Sequence, residues 1–506
     1  MKHTFTQKDK LVLQELGISE TNAREQLRLL QKGANYAQLE RTATANDGIL
    51  VLSEKKSTEY VLFFDEQKSN FSISRFIPAS GLASRMFKFL HFFLNRYDNK
   101  KETLRSYLNR DKTYKLAVFL GGIEKLPFYA QIKNAITKTQ NGSIDNDYRY
   151  VFTEKVVDSF DKLPKALIPF HNYGSEQRSA AVEQLIFSTE FLVNNGKMDI
   201  HFTIPPGATK DFENHLSKTV SQLQSTVSAQ THLSFSHQNR NTDTLALKED
   251  GTILRNNDGD LIFRVGGHGA LIGNLNAIES ELIFLSNIDN ISVSSYHKQT
   301  AKYKKMLAGL LISLQNQIHH YARALAQGDA IDLIEVKMFL KEKLNVDVPQ
   351  SLHGNRLTAF IEEKLNRPLR VCGMVKNEGE PGGGPFWVKK NDEVTLQIVE
   401  EAQVNTNDKA QKTLFKKGTH FNPVDIVCAT YNHKGVKYDL TAFVDYEACF
   451  IADKSVGDTE IKALEHPGLW NGAMANWNTV FVEVPVRTFN PVKTVNDLLR
   501  PMHQST

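Results

Sequence analysis

The sequence predicts an α/β protein, a mixed sheet with helices on both faces, and three observations carry that expectation. Short apolar runs of strand length at 200–204, 233–236 and 282–286 alternate with longer stretches of helical period at 210–224 and 301–327. A further strand-like run, 72–78, ends in small residues and a glycine and leads into an apolar helix at 87–93, a strand–turn–helix unit. The chain has 506 residues, 41% of them hydrophobic and 23% charged, which is enough for one large or two moderate soluble domains.

Taken in order, residues 4–40 read as a small helical element, with leucines at helical spacings and Ser19 as the cap of its second half. Runs 49–53 and 60–64 read as short strands. Residues 178–195 read as helix, and 330–365 as two or more helices ahead of a β-rich region at 370–449. Polar stretches at 139–147, 377–384 and 405–409 read as loops. The expected organisation is an N-terminal helical element with short strands (1–70), a main domain (71–455) and a C-terminal segment (456–506).

Sixty-one basic against 57 acidic residues leave a net charge of +4, too balanced to make nucleic acid or an anionic membrane the expected partner. Three cysteines, Cys372, Cys428 and Cys449, have no CxxC spacing and leave an odd one over, which points to reduced thiols. The first ten residues are polar, and the longest apolar stretch, 306–314, is too short for a bilayer. A cytoplasmic protein is expected.

Several segments combine residue types that suit phosphates, bases and sugars. Pro491 stiffens the entry to a capping box, Thr494 to Asp497, which places Lys493 at a helix mouth where free N–H groups and an ammonium suit a phosphate oxygen. Ser80, Gly81, Ala83, Ser84 and Arg85 follow the strand 72–78, where small residues let backbone N–H groups approach a phosphate. Lys165 follows Pro164 in a proline turn. Gln238, after a strand, offers the donor and acceptor that a base edge needs, and Gly267, His268 and Gly269 form a tight turn bearing an imidazole. Asp289 ends the strand 282–286, where one carboxylate can hold Mg²⁺ against phosphates. Glu400 and Asn422 supply the paired acceptor and donor of a hydroxyl-rich ligand. Each also has a plain structural reading: a solvated lysine beside a cap, a buried histidine between turn glycines, an aspartate capping a strand. His319 and His320 lack a third spaced ligand, so no zinc site is expected.

In their order along the chain these segments resemble the UDP-glucose pyrophosphorylase family, uridylyltransferases that join a sugar 1-phosphate to UTP. Pro491-Val492-Lys493 with Asp497-Leu498-Leu499 resembles the family's C-terminal lysine motif. Ser80 to Arg85 resembles its glycine-rich phosphate turn, with Ser80 and Ala83 standing where the family has glycines; Pro164-Lys165 resembles its Pro-Lys element, although Lys165 lies 80 residues after Arg85 here, so an insertion must loop out and return. Gly267-His268-Gly269 matches its Gly-His-Gly segment and Asp289-Asn290 its Asp-Asn pair. Glu400 and Asn422 align with its sugar-binding residues, with Asp425 in place of a second asparagine.

The resemblance implies a Rossmann-like mixed sheet of the nucleotide-diphospho-sugar transferase (GT-A-like) type. It also implies a nucleotidyltransferase acting on a nucleoside triphosphate, UTP, and a sugar 1-phosphate with Mg²⁺. In that reading Arg85, Lys165 and Lys493 are catalytic and Asp289 holds the metal. Ser80, Gly81, Ala83, Ser84, Gln238, Gly267, His268 and Gly269 bind nucleotide, and Glu400 and Asn422 bind sugar. The alternatives are a non-catalytic nucleotide-sugar sensor and a glycosyltransferase of related fold. The chain as a whole also resembles a bacterial domain-of-unknown-function family.

Overall fold

A computed structural model describes residues 5–33, 35–98, 100–111, 114–139, 148–380, 382–391, 393–456 and 459–505. The chain divides into two compact units: Met1–Ile73, Gln238–Leu285 and Tyr303–Val486 form the first, and Ser74–His237, Ser286–Lys302 and Arg487–Thr506 the second.

In the first unit a mixed sheet runs in the order Thr44–Ala45, Gly48–Leu50, Asn478–Glu483, Leu369–Met374, Asp425–Ala429, Leu282–Ser286. Leu369–Met374 pairs parallel with Asn478–Glu483 and antiparallel with Asp425–Ala429, and every residue of Leu369–Met374 and Asp425–Ala429 is buried, the charged Arg370 and Asp425 included. Two smaller antiparallel sheets accompany it. One holds Gln38–Thr42, Gly384–Lys390 and Glu393–Val399; the other holds Ala246–Lys248, Thr459–Glu465 and Phe450–Val456. Helices Gln7–Leu16 and Glu20–Lys32 bury leucines against Leu245, Leu247, Leu261 and Leu464.

In the second unit, Ile73–Pro78, Lys197–Thr203 and Gln230–Ser236 form three parallel strands, and helix Thr209–Val227 is the crossover between the last two. Among the described residues between 88 and 160 the chain makes five α-helices, Lys88–Arg96, Leu104–Asp111, Tyr114–Gly122, Tyr129–Thr139 and Tyr148–Phe160. The aromatic side chains of Phe87, Phe93, Tyr97, Tyr107, Phe128, Phe152 and Phe160 pack within this region. Among the described residues no helix is long and apolar enough to cross a membrane.

The α/β class and the strands expected at 72–78, 200–204, 233–236 and 282–286 stand, within three residues at each end. Several elements differ in kind or in extent. Residues 60–64, read as a strand, lie within helix Glu54–Gln67, because the Ser53 hydroxyl accepts from the Lys56 N–H and starts a helix that buries Ser57 and Phe64. The helical reading of 4–40 fails at its end: Gly33 at φ +89° ends the second helix, and Gln38–Thr42 pairs as a strand with residues 386–389. The helix expected after Lys493 is a five-residue 3-10 turn, Val495–Leu499, cut off by Pro501, so it is too short to carry a helix dipole. Helix 178–195 contracts to Ala180–Ser188. Of the loop expected at 139–147, residues 140–147 lie outside the described residues.

Candidate active site

Residues far apart in sequence meet in the second unit around one carboxylate. Strand Ile73–Pro78 runs into the small-residue turn, and the turn is bonded to the Pro164–Lys165 segment. The Lys165 N–H donates to the Gly81 carbonyl at 3.0 Å, the Ala83 N–H donates to the Leu163 carbonyl at 3.1 Å, and Leu82 bridges Pro164. The insertion after Arg85 therefore loops out as helices and returns.

The Asp289–Asn290 segment is in turn paired with the C-terminal lysine motif. Asn290 bridges Pro491, the Val492 N–H donates to the Asp289 carbonyl at 3.1 Å, and the Asn490 N–H donates to the Asn290 Oδ1 at 2.7 Å. Asp497 fixes the lysine's backbone: its Oδ2 accepts from the Lys493 N–H at 2.9 Å and the Thr494 N–H at 2.6 Å.

Both lysines reach the same oxygen. Lys165 Nζ lies 2.6 Å and Lys493 Nζ 3.2 Å from Asp289 Oδ2. Their environments differ, with the side chains of Asp289 and Lys165 10% and 15% exposed and that of Lys493 62% exposed. Burial pushes the Lys165 amine below its ordinary pKa, and Asp289, shared with a second cation, only partly offsets this. Burial alone would raise the Asp289 carboxyl, but the two ammonium groups outweigh it and hold it below the usual value. Asp289 Oδ1 accepts no hydrogen bond from the described residues. Arg85 is exposed and forms no ion pair among them. Ser80 is half-buried, Ser84 exposed, and Gly81 faces open space.

Among the described residues no three or more His, Cys, Asp or Glu side chains cluster as a metal cage. A hard cation that keeps its waters and binds through one carboxylate and substrate phosphates needs no such cage, and the open Oδ1 of Asp289 fits that mode.

The remaining candidates lie in the first unit. Gly267, at φ +80°, precedes the 3-10 turn His268–Leu271. A Cβ on Gly269 would stand 2.0 Å from the Pro467 carbonyl oxygen, and one on Gly266 2.4 Å from that of Thr242, so these glycines permit close packing of the chain on itself. His268 Nδ1 accepts from the Leu469 N–H at 3.1 Å, which puts the neutral ring's proton on Nε2. Burial lowers its pKa, against the pull of Glu400 and Glu465. The Asn422 Nδ2 donates to Glu400 Oε1 at 2.8 Å, while Asn422 Oδ1 is buried with no partner among the described residues. His268 and Glu400 line one cavity of about 750 Å³ with Tyr36, Glu401, Phe450 and Glu465. Gln238 does not line it; its Nε2 is 3.3 Å from Thr242 Oγ1. Asp425 is buried and paired with Lys304, which accounts for a carboxylate at that position. Gly383 and Gly384 pack on the carbonyls of Val399 and His420.

Residues 6–504 match the family described as Domain of unknown function (DUF4301). The chain belongs to that family. No curated protein matches this DUF4301 chain. Solved structures similar to it include a UDP-glucose pyrophosphorylase variant from Leishmania major in complex with UDP-glucose, at 14% identity and TM-score 0.43 over 97% of this chain and 78% of that one. A UDP-glucose phosphorylase from Trypanosoma brucei aligns at 14% identity and TM-score 0.45, over 97% and 77% of the two chains. The uridine diphosphate N-acetylglucosamine pyrophosphorylase of the same organism, in complex with inhibitor, aligns at 11% identity and TM-score 0.46, over 99% and 85%.

Asp497, which the sequence marks both as a cap and as part of the lysine motif, also fixes the backbone of Lys493. One feature of this DUF4301 site is not visible as a motif. Gln184, a lone glutamine in an apolar helix, bonds the loop that bears Asp289, and nothing in its sequence context signals it.

Proposed function

We propose that this DUF4301 protein is a nucleotidyltransferase that joins a sugar 1-phosphate to a nucleoside triphosphate, UTP, and releases pyrophosphate. The observation that carries the reading is the meeting of Lys165 and Lys493 on one oxygen of Asp289, beside a small-residue turn that is bonded to Lys165. An oxygen of the sugar 1-phosphate attacks the α-phosphorus, and the bond from that phosphorus to the bridging α–β oxygen breaks, its electron pair leaving with pyrophosphate. Such a transfer asks for alignment and charge neutralisation rather than covalent help from the protein.

The chain's residues divide that work. Lys493, exposed on an anchored backbone, neutralises charge between the two substrates. Lys165, held in place by Gly81 and Asp289, and Arg85, which forms no ion pair among the described residues, receive the pyrophosphate. Mg²⁺ on Asp289 would supply further neutralisation of the phosphate oxygens. Gln238 and Gly267 to Gly269 serve the nucleotide. Glu400 accepts from sugar hydroxyls with Asn422 beside it, and the cavity that Glu400 borders offers Tyr36 and Phe450 as apolar faces.

A second reading, a nucleotide-sugar sensor without turnover, is favoured by one observation. The Ala83 N–H, which a phosphate-binding turn would present to ligand, is spent on the Leu163 carbonyl. The experiment that separates the two is pyrophosphate release from purified protein with Mg²⁺, nucleoside triphosphates being crossed with sugar 1-phosphates. Release that requires both substrates supports the transferase; nucleotide binding with no release for any pair overturns it in favour of the sensor.

A further inference from the structure

Gln184 lies in the middle of the fully packed helix Ala180–Ser188 and is itself completely buried. Its Oε1 accepts from Arg75 Nη2, while its Nε2 is 3.1, 3.1 and 3.2 Å from the carbonyl oxygens of Asn287, Ile288 and Asn290. The amide can take only this orientation, because a guanidinium only donates and the three carbonyls only accept. Arg75 is fixed in turn: its Nη1 donates to the Gln184 carbonyl at 2.9 Å and to Ser188 Oγ at 2.7 Å, and its ring-side neighbours are Phe187 and Phe191. Three carbonyls drawn to one NH₂ group define the path of the loop on both sides of Asp289. A run of hydrogen bonds thus leads from the strand Ile73–Pro78, through a helix, to the carboxylate on which both lysines close.

We propose that Gln184 is the positioning residue for Asp289: the polarised amide gathers the carbonyls of Asn287, Ile288 and Asn290 so that the carboxylate stands where Lys165 and Lys493 meet it. This rests on the reading of Asp289 as part of the reaction centre. Fixing one reacting group to within a fraction of an ångström is worth up to roughly 10²-fold in rate, and a buried amide bonded to a charged donor is stiffer than a neutral pair.

The test is Gln184→Glu, which keeps size, gives buried Arg75 a carboxylate and so favours folding, yet turns an oxygen toward three carbonyl oxygens. Gln184→Asn, which keeps the amide but shortens its reach, is the second variant should the first fail to fold. Ser188→Ala is the control that removes an Arg75 bond without touching the loop. Hydrogen exchange at the Asn290 and Val492 amides, melting temperature, and kcat and KM for nucleotide are measured for each. Gln184→Glu is expected to speed exchange at these amides at least ~10-fold and to lower kcat by roughly 10- to 10²-fold with nucleotide KM within about 3-fold. Its melting temperature should stay close to that of the native protein, and Ser188→Ala should leave loop exchange and kcat unchanged. Unchanged loop exchange in a folded Gln184 variant, or equal losses in Ser188→Ala, overturns the proposal. A native protein that releases no pyrophosphate overturns the reaction instead, and the exchange arm still decides the clamp.

Discussion

Lys165 and Gly81 are joined through their backbones, N–H to carbonyl at 3.0 Å, across an insertion whose described residues form α-helices. The ammonium is therefore delivered by the turn that precedes it, and the turn has room to spare: a Cβ on Gly81 would meet nothing within 4 Å. Gly81→Ala should leave unfolding free energy within about 0.5 kcal/mol of the native value. If phosphates pack against this turn, the same change lowers nucleotide affinity at least ~10-fold. Urea unfolding and a nucleotide titration read the two effects separately, and equal affinity for both proteins would remove the turn from the site.

Lys493→Ala removes an ammonium whose side chain is mostly in solvent while its backbone stays tied to Asp497. Melting should hardly change. Pyrophosphate release should fall roughly 10²-fold or more, the scale for losing one group that stabilises developing charge. Undiminished turnover would end its assignment to the reaction.

Asp289→Ala leaves the buried ammonium of Lys165 without its partner, and stranding one member of a buried pair costs about 3–5 kcal/mol. Replacing Lys165 with methionine in the same chain removes the stranded charge, so the double variant should regain most of that loss while remaining inactive. Denaturant midpoints of the two single variants and the double form the cycle. Additive losses would mean that the pair does not interact in solution.

How much of this was legible in advance follows the range of the forces involved. The strand at 282–286 and the aspartate after it could be read because a fully buried strand is apolar along its whole length and stops where a polar residue appears. Lys493 was legible for a local reason too, since Thr494 and Asp497 cap within four residues. The helix expected beyond it was not formed, because Pro501 cuts it to a single short turn. The strand reading at 60–64 went astray where aromatic and β-branched residues sit on a helix that is started seven residues earlier by Ser53. Gln184 and the Gly81–Lys165 bond depend on partners about a hundred residues away, and no periodicity or spacing records such partners.

Gly269 gives the opposite case to Gly81. A Cβ there would stand 2.0 Å from the Pro467 carbonyl oxygen and 2.8 Å from its carbon, both backbone atoms that cannot turn aside. Gly269→Ala should destabilise by about 1–3 kcal/mol through overpacking, with nucleotide affinity falling only as far as the turn moves. A variant as stable as the native protein would show that the turn and the Pro467 backbone are not in contact in solution.

His503 makes stability depend on pH in a direction set by its burial. Its Nδ1 lies 3.0 Å from His171 Nε2, and His171 Nδ1 lies 3.0 Å from Glu183 Oε2, so the neutral form of His503 belongs to a buried chain. Burial, with His171 and Arg500 adding to it against Asn490 and Asp289, pushes its pKa down to about 3. In the unfolded chain an ordinary histidine binds a proton near pH 6.5. Between these two values the unfolded state holds more protons, so stability falls as pH falls from about 6.5 toward 3. Going from pH 7 to pH 5, this group alone should remove about 2 kcal/mol of unfolding free energy. His503→Phe retains a ring to pack against His171 but does not titrate. It should be less stable than the native protein at pH 7, and the gap should narrow by that amount at pH 5. Urea unfolding at the two pH values measures it, and parallel losses in both proteins would place the proton elsewhere.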